Sequence, residues 1–115
     1  MDSFPKFLQG IFPFTGHGLD KSALLHSIMV YSVPADKRAQ LIYFRGGNSS
    51  DELICLSLYN NGKLMRHFPI GAKGHTHVPL AVVEDLQPDS KLEVYLSAPA
   101  GASGTVVIDI GLLEI

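Results

Sequence analysis

His75-Thr76-His77 is the spacing in this sequence best suited to chemistry. On an extended strand, residues i and i+2 project from the same face, so both imidazoles can reach one metal ion. Two ligands leave such a site incomplete, and no histidine follows His77. Two exposed loop histidines are the competing reading. Cys55 is the sole cysteine, which excludes an intrachain disulfide and a cysteine-based zinc site. Between Ile54 and Leu56 it reads as a buried strand thiol, and no activating base adjoins it in sequence. Ser49, Ser50 and Ser90 sit in turn-like contexts, where hydroxyls brace local backbone, and no GxSxG elbow is present. Asp85 and Asp89 flank a turn and read as solvated caps. Gly46-Gly47 and the glycines around Gly101 precede no helix with a Lys-Ser/Thr ending, so they are not phosphate loops. With no tryptophan, sugar stacking would fall to Tyr31, Tyr43, Tyr59 and Tyr95, which on strands serve more often as cross-strand packing pairs. No catalytic site and no cofactor are expected.

The HxH pair resembles the metal-binding strand of cupins, which are jelly-roll barrels. The sequence departs from that family after His77: the first carboxylate, Glu84, comes too late, and no later glycine-rich segment supplies another histidine. A degenerate cupin-like metal enzyme using His75 and His77 is therefore the third-ranked functional reading.

The elements that must carry these residues follow from composition and pattern. A chain of 115 residues fits one domain, and 46% hydrophobic against 17% charged residues describes a packed core rather than a disordered segment. The net charge is -2 with no basic stripe, which argues against nucleic acid as a partner. No apolar run is long enough to span a bilayer, and the opening residues, broken by Pro5, Gly10 and Pro13, are not those of a signal peptide. No membrane partner is expected.

From Ser22 onward apolar residues alternate with period two, interrupted by turn residues at sandwich-like spacing. Strands are expected at about Leu24–Val33, Arg38–Arg45, Glu52–Tyr59, Lys63–Ile70, Thr76–Glu84, Lys91–Ala98 and Thr105–Leu113. In the second, Ala39, Leu41 and Tyr43 should share one face, with Gln40, Ile42 and Phe44 on the other. Gly46–Asp51 reads as a loop, Asp85–Ser90 as a turn cluster, and Asn60-Asn61-Gly62 as a tight type I′ hairpin. A short helix within Leu19–His26 is a minor alternative, and an eighth strand could come from the N-terminal segment or the tail. The fold class is all-β: an antiparallel β-sandwich or jelly roll of seven to eight strands.

Residues 1–18 differ from the sandwich expected over 19–115. Phe4, Phe7, Phe12 and Phe14 lie among prolines and glycines, as in an irregular apolar arm. Either the arm closes one end of its own sandwich, or these four phenylalanines form a partner interface.

Tyr31-Ser32-Val33-Pro34-Ala35-Asp36-Lys37-Arg38-Ala39 resembles the VPAGKRA opening of small bacteriophage virion proteins, with Asp36 in place of the usual glycine. Asp85-Leu86-Gln87-Pro88-Asp89-Ser90-Lys91-Leu92-Glu93-Val94 is similar to the L-x-P-G-D-x-L-x-V step before their penultimate strand, again with Asp89 for glycine. The resemblance spans roughly residues 28 to 110 and implies a capsid decoration (cement) protein or another small particle component. It further implies a homotrimer bound to the major capsid protein or another virion protein, located in the virion and assembled in the host cytoplasm. A carbohydrate- or receptor-binding module of a tail or fibre is the alternative.

Overall fold

The computed structural model describes residues 3–80 and 84–115. Ten strands follow in chain order: β1 Phe4–Thr15, β2 Gly18–Leu24, β3 Val30–Ser32, β4 Ala39–Asn48, β5 Ile54–Asn60, β6 Lys63–Ile70, β7 His75–Pro79, β8 Asp85–Leu86, β9 Lys91–Ala98 and β10 Ser103–Glu114. They form two antiparallel sheets packed as a sandwich. Sheet A runs β1-β10-β4-β7, with β8 also pairing β4; sheet B runs β2-β9-β5-β6, with β3 also pairing β9. Among the described residues, β5 and β6 are the one pair of consecutive strands that bond to each other. Every other ladder joins distant parts of the chain, which makes register a tertiary property.

The inner faces supply the core. Phe12 and Phe14 of β1, Ile108 and Ile110 of β10, and Phe44 of β4 meet Leu56 and Leu58 of β5, Phe68 of β6, and Val94 and Leu96 of β9. The Phe44 and Phe68 rings stack across the sheets at 4.1 Å and 5°. Tyr31 of β3 donates its hydroxyl to Glu114 of β10, a second tie between the sheets. Burial, then this hydrogen bond and the charge of Glu114, hold the Tyr31 phenol above its ordinary range.

Several expectations need correction. Residues 4–15, read as irregular, form a twelve-residue strand paired along its whole length with β10. Of the expected first strand at 24–33, only Leu24, the last residue of β2, and residues 30–32 of β3 are in strands, and the helix considered at 19–26 is occupied largely by β2. Gly46, Gly47 and Asn48 extend β4 instead of opening a loop. The β4 register slips where Gly111 pairs Tyr43 and Leu112 pairs Leu41, leaving Ile42 as the extra residue. Beyond it the inward phase switches from Ala39 and Leu41 to Phe44, Gly46 and Asn48, so Tyr43 and Phe44 do not keep the faces expected of them, whereas Ile42 stays outward. β7 ends at Pro79, and the remainder of the strand expected to Glu84 lies partly outside the described residues. Cys55 is half-buried on an outer face, not in the core. The hairpin is as expected: Asn60 pairs Lys63, with φ of 51° at Asn61 and 80° at Gly62.

Candidate functional site

Two outer faces carry the side chains available for recognition. On sheet A, antiparallel register assembles cross-strand rows from four separated stretches of sequence. One row is Phe7–Gly111–Tyr43–Pro79, the next Gln9–Asp109–Arg45–His77, and the third Ile11–Val107–Gly47–His75.

Asp109 is the hub of the middle row. Its Oδ1 accepts from Gln9 Nε2 and from the Tyr43 hydroxyl, each at 3.0 Å. Its Oδ2 pairs with the Arg45 guanidinium at 3.0 Å. That guanidinium lies 4.8 Å from the Tyr43 ring centre, and the Tyr43 ring meets His77 edge-on at 6.1 Å. Tyr43, then Asp109, raises the arginine above its ordinary range, so its charge is fixed. Gly111 is required here because a Cβ would fall 2.0 Å from Tyr43 Cε2.

Around this polar centre the apolar side chains are open: Phe7 is 59%, Ile11 68% and Val107 49% exposed. A shallow hollow of about 350 Å³ lies above Gly46 and Gly47, walled by Val107, Asp109, His75 and His77. The histidines share a face as their spacing requires, on the outermost strand. Among the described residues, no group of three or more His, Cys, Asp or Glu is placed to hold a metal ion.

On sheet B, Cys55, Ser57 and Tyr59 of β5 face outward beside His67 and Pro69 of β6 and Tyr95 and Ser97 of β9. His67 Nδ1 lies 2.7 Å from Ser57 Oγ and 3.5 Å from Cys55 Sγ. The Tyr59 and Tyr95 rings pack at 4.5 Å with a 47° tilt. Tyr59 and His67, with Cys55, Ser57, Leu19, Asp20, Leu53 and Leu64, line an open groove of about 590 Å³, and Tyr95 backs the Tyr59 ring. A serine beside an imidazole invites a nucleophilic reading. Ser57, however, sits mid-strand with β6 on one side and β9 on the other. Its neighbouring amides are committed to those ladders, so none is left to stabilise an oxyanion.

Of the four phenylalanines proposed from sequence as a partner interface, Phe12 and Phe14 are buried in the chain's own core, at 6% and 8% exposure. Phe4 and Phe7 remain exposed, at 43% and 59%. The Asp109 hub and the Ser57–His67 pair were missed in the sequence. Period-two phasing of β1 against β10 was the one signal that could have brought Gln9 to Asp109.

No family model matches the sequence, and no curated protein does. Solved structures do match. The CBM36-1 domain of a multidomain xylanase from the hindgut metagenome of Trinervitermes trinervoides aligns with TM-score 0.59 and 12% identity, over 96% of each chain. The insecticidal delta-endotoxin Cry8Ea1 from Bacillus thuringiensis aligns with TM-score 0.53 and 12% identity, over 91% of this chain and 19% of that one. The protein of T=1 particles derived from infectious bursal virus aligns with TM-score 0.53 and 11% identity, over 97% of this chain and 31% of that one. The chain thus spans under a third of the last two. At these identities the similarity concerns the fold: a β-sandwich found in both binding domains and viral particle proteins.

Proposed function

We propose that this chain is a non-enzymatic structural component of a bacteriophage particle, a decoration (cement) protein that bridges capsid subunits through the outer face of sheet A. The observation that carries this reading is the combination on that face of three open apolar side chains, Phe7, Ile11 and Val107, with a polar hub already fixed by its own bonds. A prearranged, partly apolar surface can dock without ordering its side chains first, which lowers the cost of binding. The virion-like motifs at residues 31–39 and 85–94 support the particle reading, as does a sandwich similar to that of T=1 virus particles. Binding only the assembled shell would stabilise it by mass action. The virion is then its location, reached by assembly in the host cytoplasm.

The test is density-gradient banding of particles from the producing host, followed by quantitation of this chain. Co-banding at a fixed ratio to the major capsid protein is expected, with Ile11→Asp and Val107→Asp lowering the ratio. Particles that band without the chain would refute the reading.

A second reading is a glycan-binding module. The groove on sheet B, with Tyr59, His67 and Asp20, offers ring surface and hydrogen-bonding groups side by side, and the chain aligns end to end with a xylanase-associated CBM36-1 domain. A glycan array should then give a hit that Tyr59→Ala abolishes; an empty array removes this reading.

A further inference from the structure

We infer that the open edge of β1 is a self-association site at which a second copy of this chain pairs antiparallel around Gln9. Among the described residues, β1 is the end strand of sheet A and bonds only to β10. Its backbone phase can be read from neighbouring bonds. Gly16 continues the β1–β10 ladder by donating its amide to the Ala102 carbonyl, and just past β4 the Ser49 amide donates to the Thr105 carbonyl on the other side of β10. Even-numbered residues of β1 therefore turn their amides and carbonyls toward β10. The odd-numbered residues, Pro5, Phe7, Gln9, Ile11 and Pro13, turn theirs to the open edge. The two prolines agree, since a residue lacking an N–H fits only where the ladder does not need one.

These edge-facing residues read nearly the same in both directions from Gln9. A second β1 laid antiparallel with Gln9 opposite Gln9 sets Phe7 against Ile11 of the other copy, and Pro5 against Pro13. Phe7, Gln9 and Ile11 can each exchange both backbone bonds with their opposite residue, and the proline pairs end the ladder at both limits. Phe7 and Ile11 are among the most exposed large apolar side chains of the chain, and pairing would cover one with the other. Edge strands are commonly blunted by charge, proline or a bulge. Here proline blunts only the ends; the central stretch carries no charge on its outward face and no register shift.

Such an edge is self-complementary, so it closes on two copies and does not propagate. It joins the two A sheets into one and makes their outer faces continuous. The occupant is thus a second copy related by a twofold axis, in place of the threefold arrangement implied by the virion resemblance. The inference stands whether or not the chain belongs to a particle.

The experiment is the solution mass of the full chain by sedimentation velocity across a concentration series, for three proteins. The wild type should pass from 12.5 kDa to twice that mass. Gln9→Pro removes the central edge donor while leaving the β10 ladder intact, and should weaken the dimer at least tenfold, on the order expected for a lost reciprocal pair of backbone bonds. Gln9→Cys in a Cys55→Ser background should form a disulfide-linked dimer on mild oxidation, a readout independent of whether the proline variant folds. A chain that stays monomeric at its solubility limit overturns the inference. So does an oligomer of any order that gives no crosslink from Gln9→Cys.

Discussion

Replacing Tyr31 with phenylalanine isolates the hydrogen bond that ties sheet B to sheet A at one end of the sandwich. The hydroxyl donates to Glu114, which is only 4% exposed. Without the donor, a buried carboxylate loses a partner that water replaces poorly, and bonds to charged groups contribute about 2 kcal/mol. For 115 residues the unfolding entropy is roughly 0.24 kcal/mol/K, so this loss lowers the thermal midpoint by about 8 °C. The pH dependence has a definite sign. The folded phenol holds its proton above the ordinary value of 10.0, so the stability it contributes is fully present below pH 10 and is lost as the pH rises toward the folded value. The gap between wild type and Tyr31→Phe, measured by urea denaturation, should be constant near neutrality and narrow above pH 10. A gap below about 0.5 kcal/mol at neutral pH, the scatter of ordinary surface substitutions, would refute the reasoning. So would a gap that widens in alkali.

Three further outcomes are expected. Phe44→Ala removes a fully buried ring from its stack on Phe68 and should cost about 3–5 kcal/mol in urea denaturation, enough to leave the fold marginal. Asn48→Ala should cost about 2 kcal/mol and speed proteolysis at residues 49–53 and 71–74, because its buried amide donates to the Glu52 and Gly71 carbonyls and accepts from Ser50. Gly111→Ala should displace the Tyr43 ring from Asp109 and cost about 1–3 kcal/mol, whereas Gly47→Ala, whose added carbon would meet Val107 at 3.9 Å, should be close to neutral. Thermal midpoints of that glycine pair separate a steric effect from a general intolerance of substitution on this face.

Legibility in the sequence followed locality. The β5–β6 hairpin could be read because Asn61-Gly62 supplies both left-handed residues itself, and β9 because Leu92, Val94 and Leu96 alternate cleanly. β1 could not be read, because its breakers sit where an edge strand tolerates them: Pro5 and Pro13 toward the open side, and Gly10 beneath the Phe12 ring, where a Cβ would come within 2.4 Å. In β4 the inward Gly46 makes room for Ile70 and Phe44, so a strand residue looks like a loop residue. The Ile42 irregularity exists only relative to β10 and leaves no local trace. The same limit hid the Asp109 hub, whose partners Gln9, Tyr43 and Arg45 meet it only through two long-range registers.

The inner layer of this sandwich is filled by its own side chains, including Phe12 and Phe14, two of the four phenylalanines that the sequence left open between the chain's own core and a partner. Recognition must therefore fall to the outer faces, the loops or the edges. The two outer faces divide that work by character. Sheet B offers a groove lined by Tyr59 and by the His67 imidazole that Ser57 and Cys55 share, suited to a small polar ligand. Sheet A offers a face whose polar hub is internally bonded and whose apolar side chains Phe7, Ile11 and Val107 stand open, suited to another protein. The β1 edge adjoins the second, and Phe7, Gln9 and Ile11 belong to both. Pairing through that edge would cover part of the apolar surface and extend what remains across two copies. If both associations occur, Ile11→Asp should weaken self-association and particle binding together, whereas Val107→Asp, one strand away from the edge, should weaken particle binding alone. Equal effects of the two substitutions on both readouts would show that the face and the edge are a single interface.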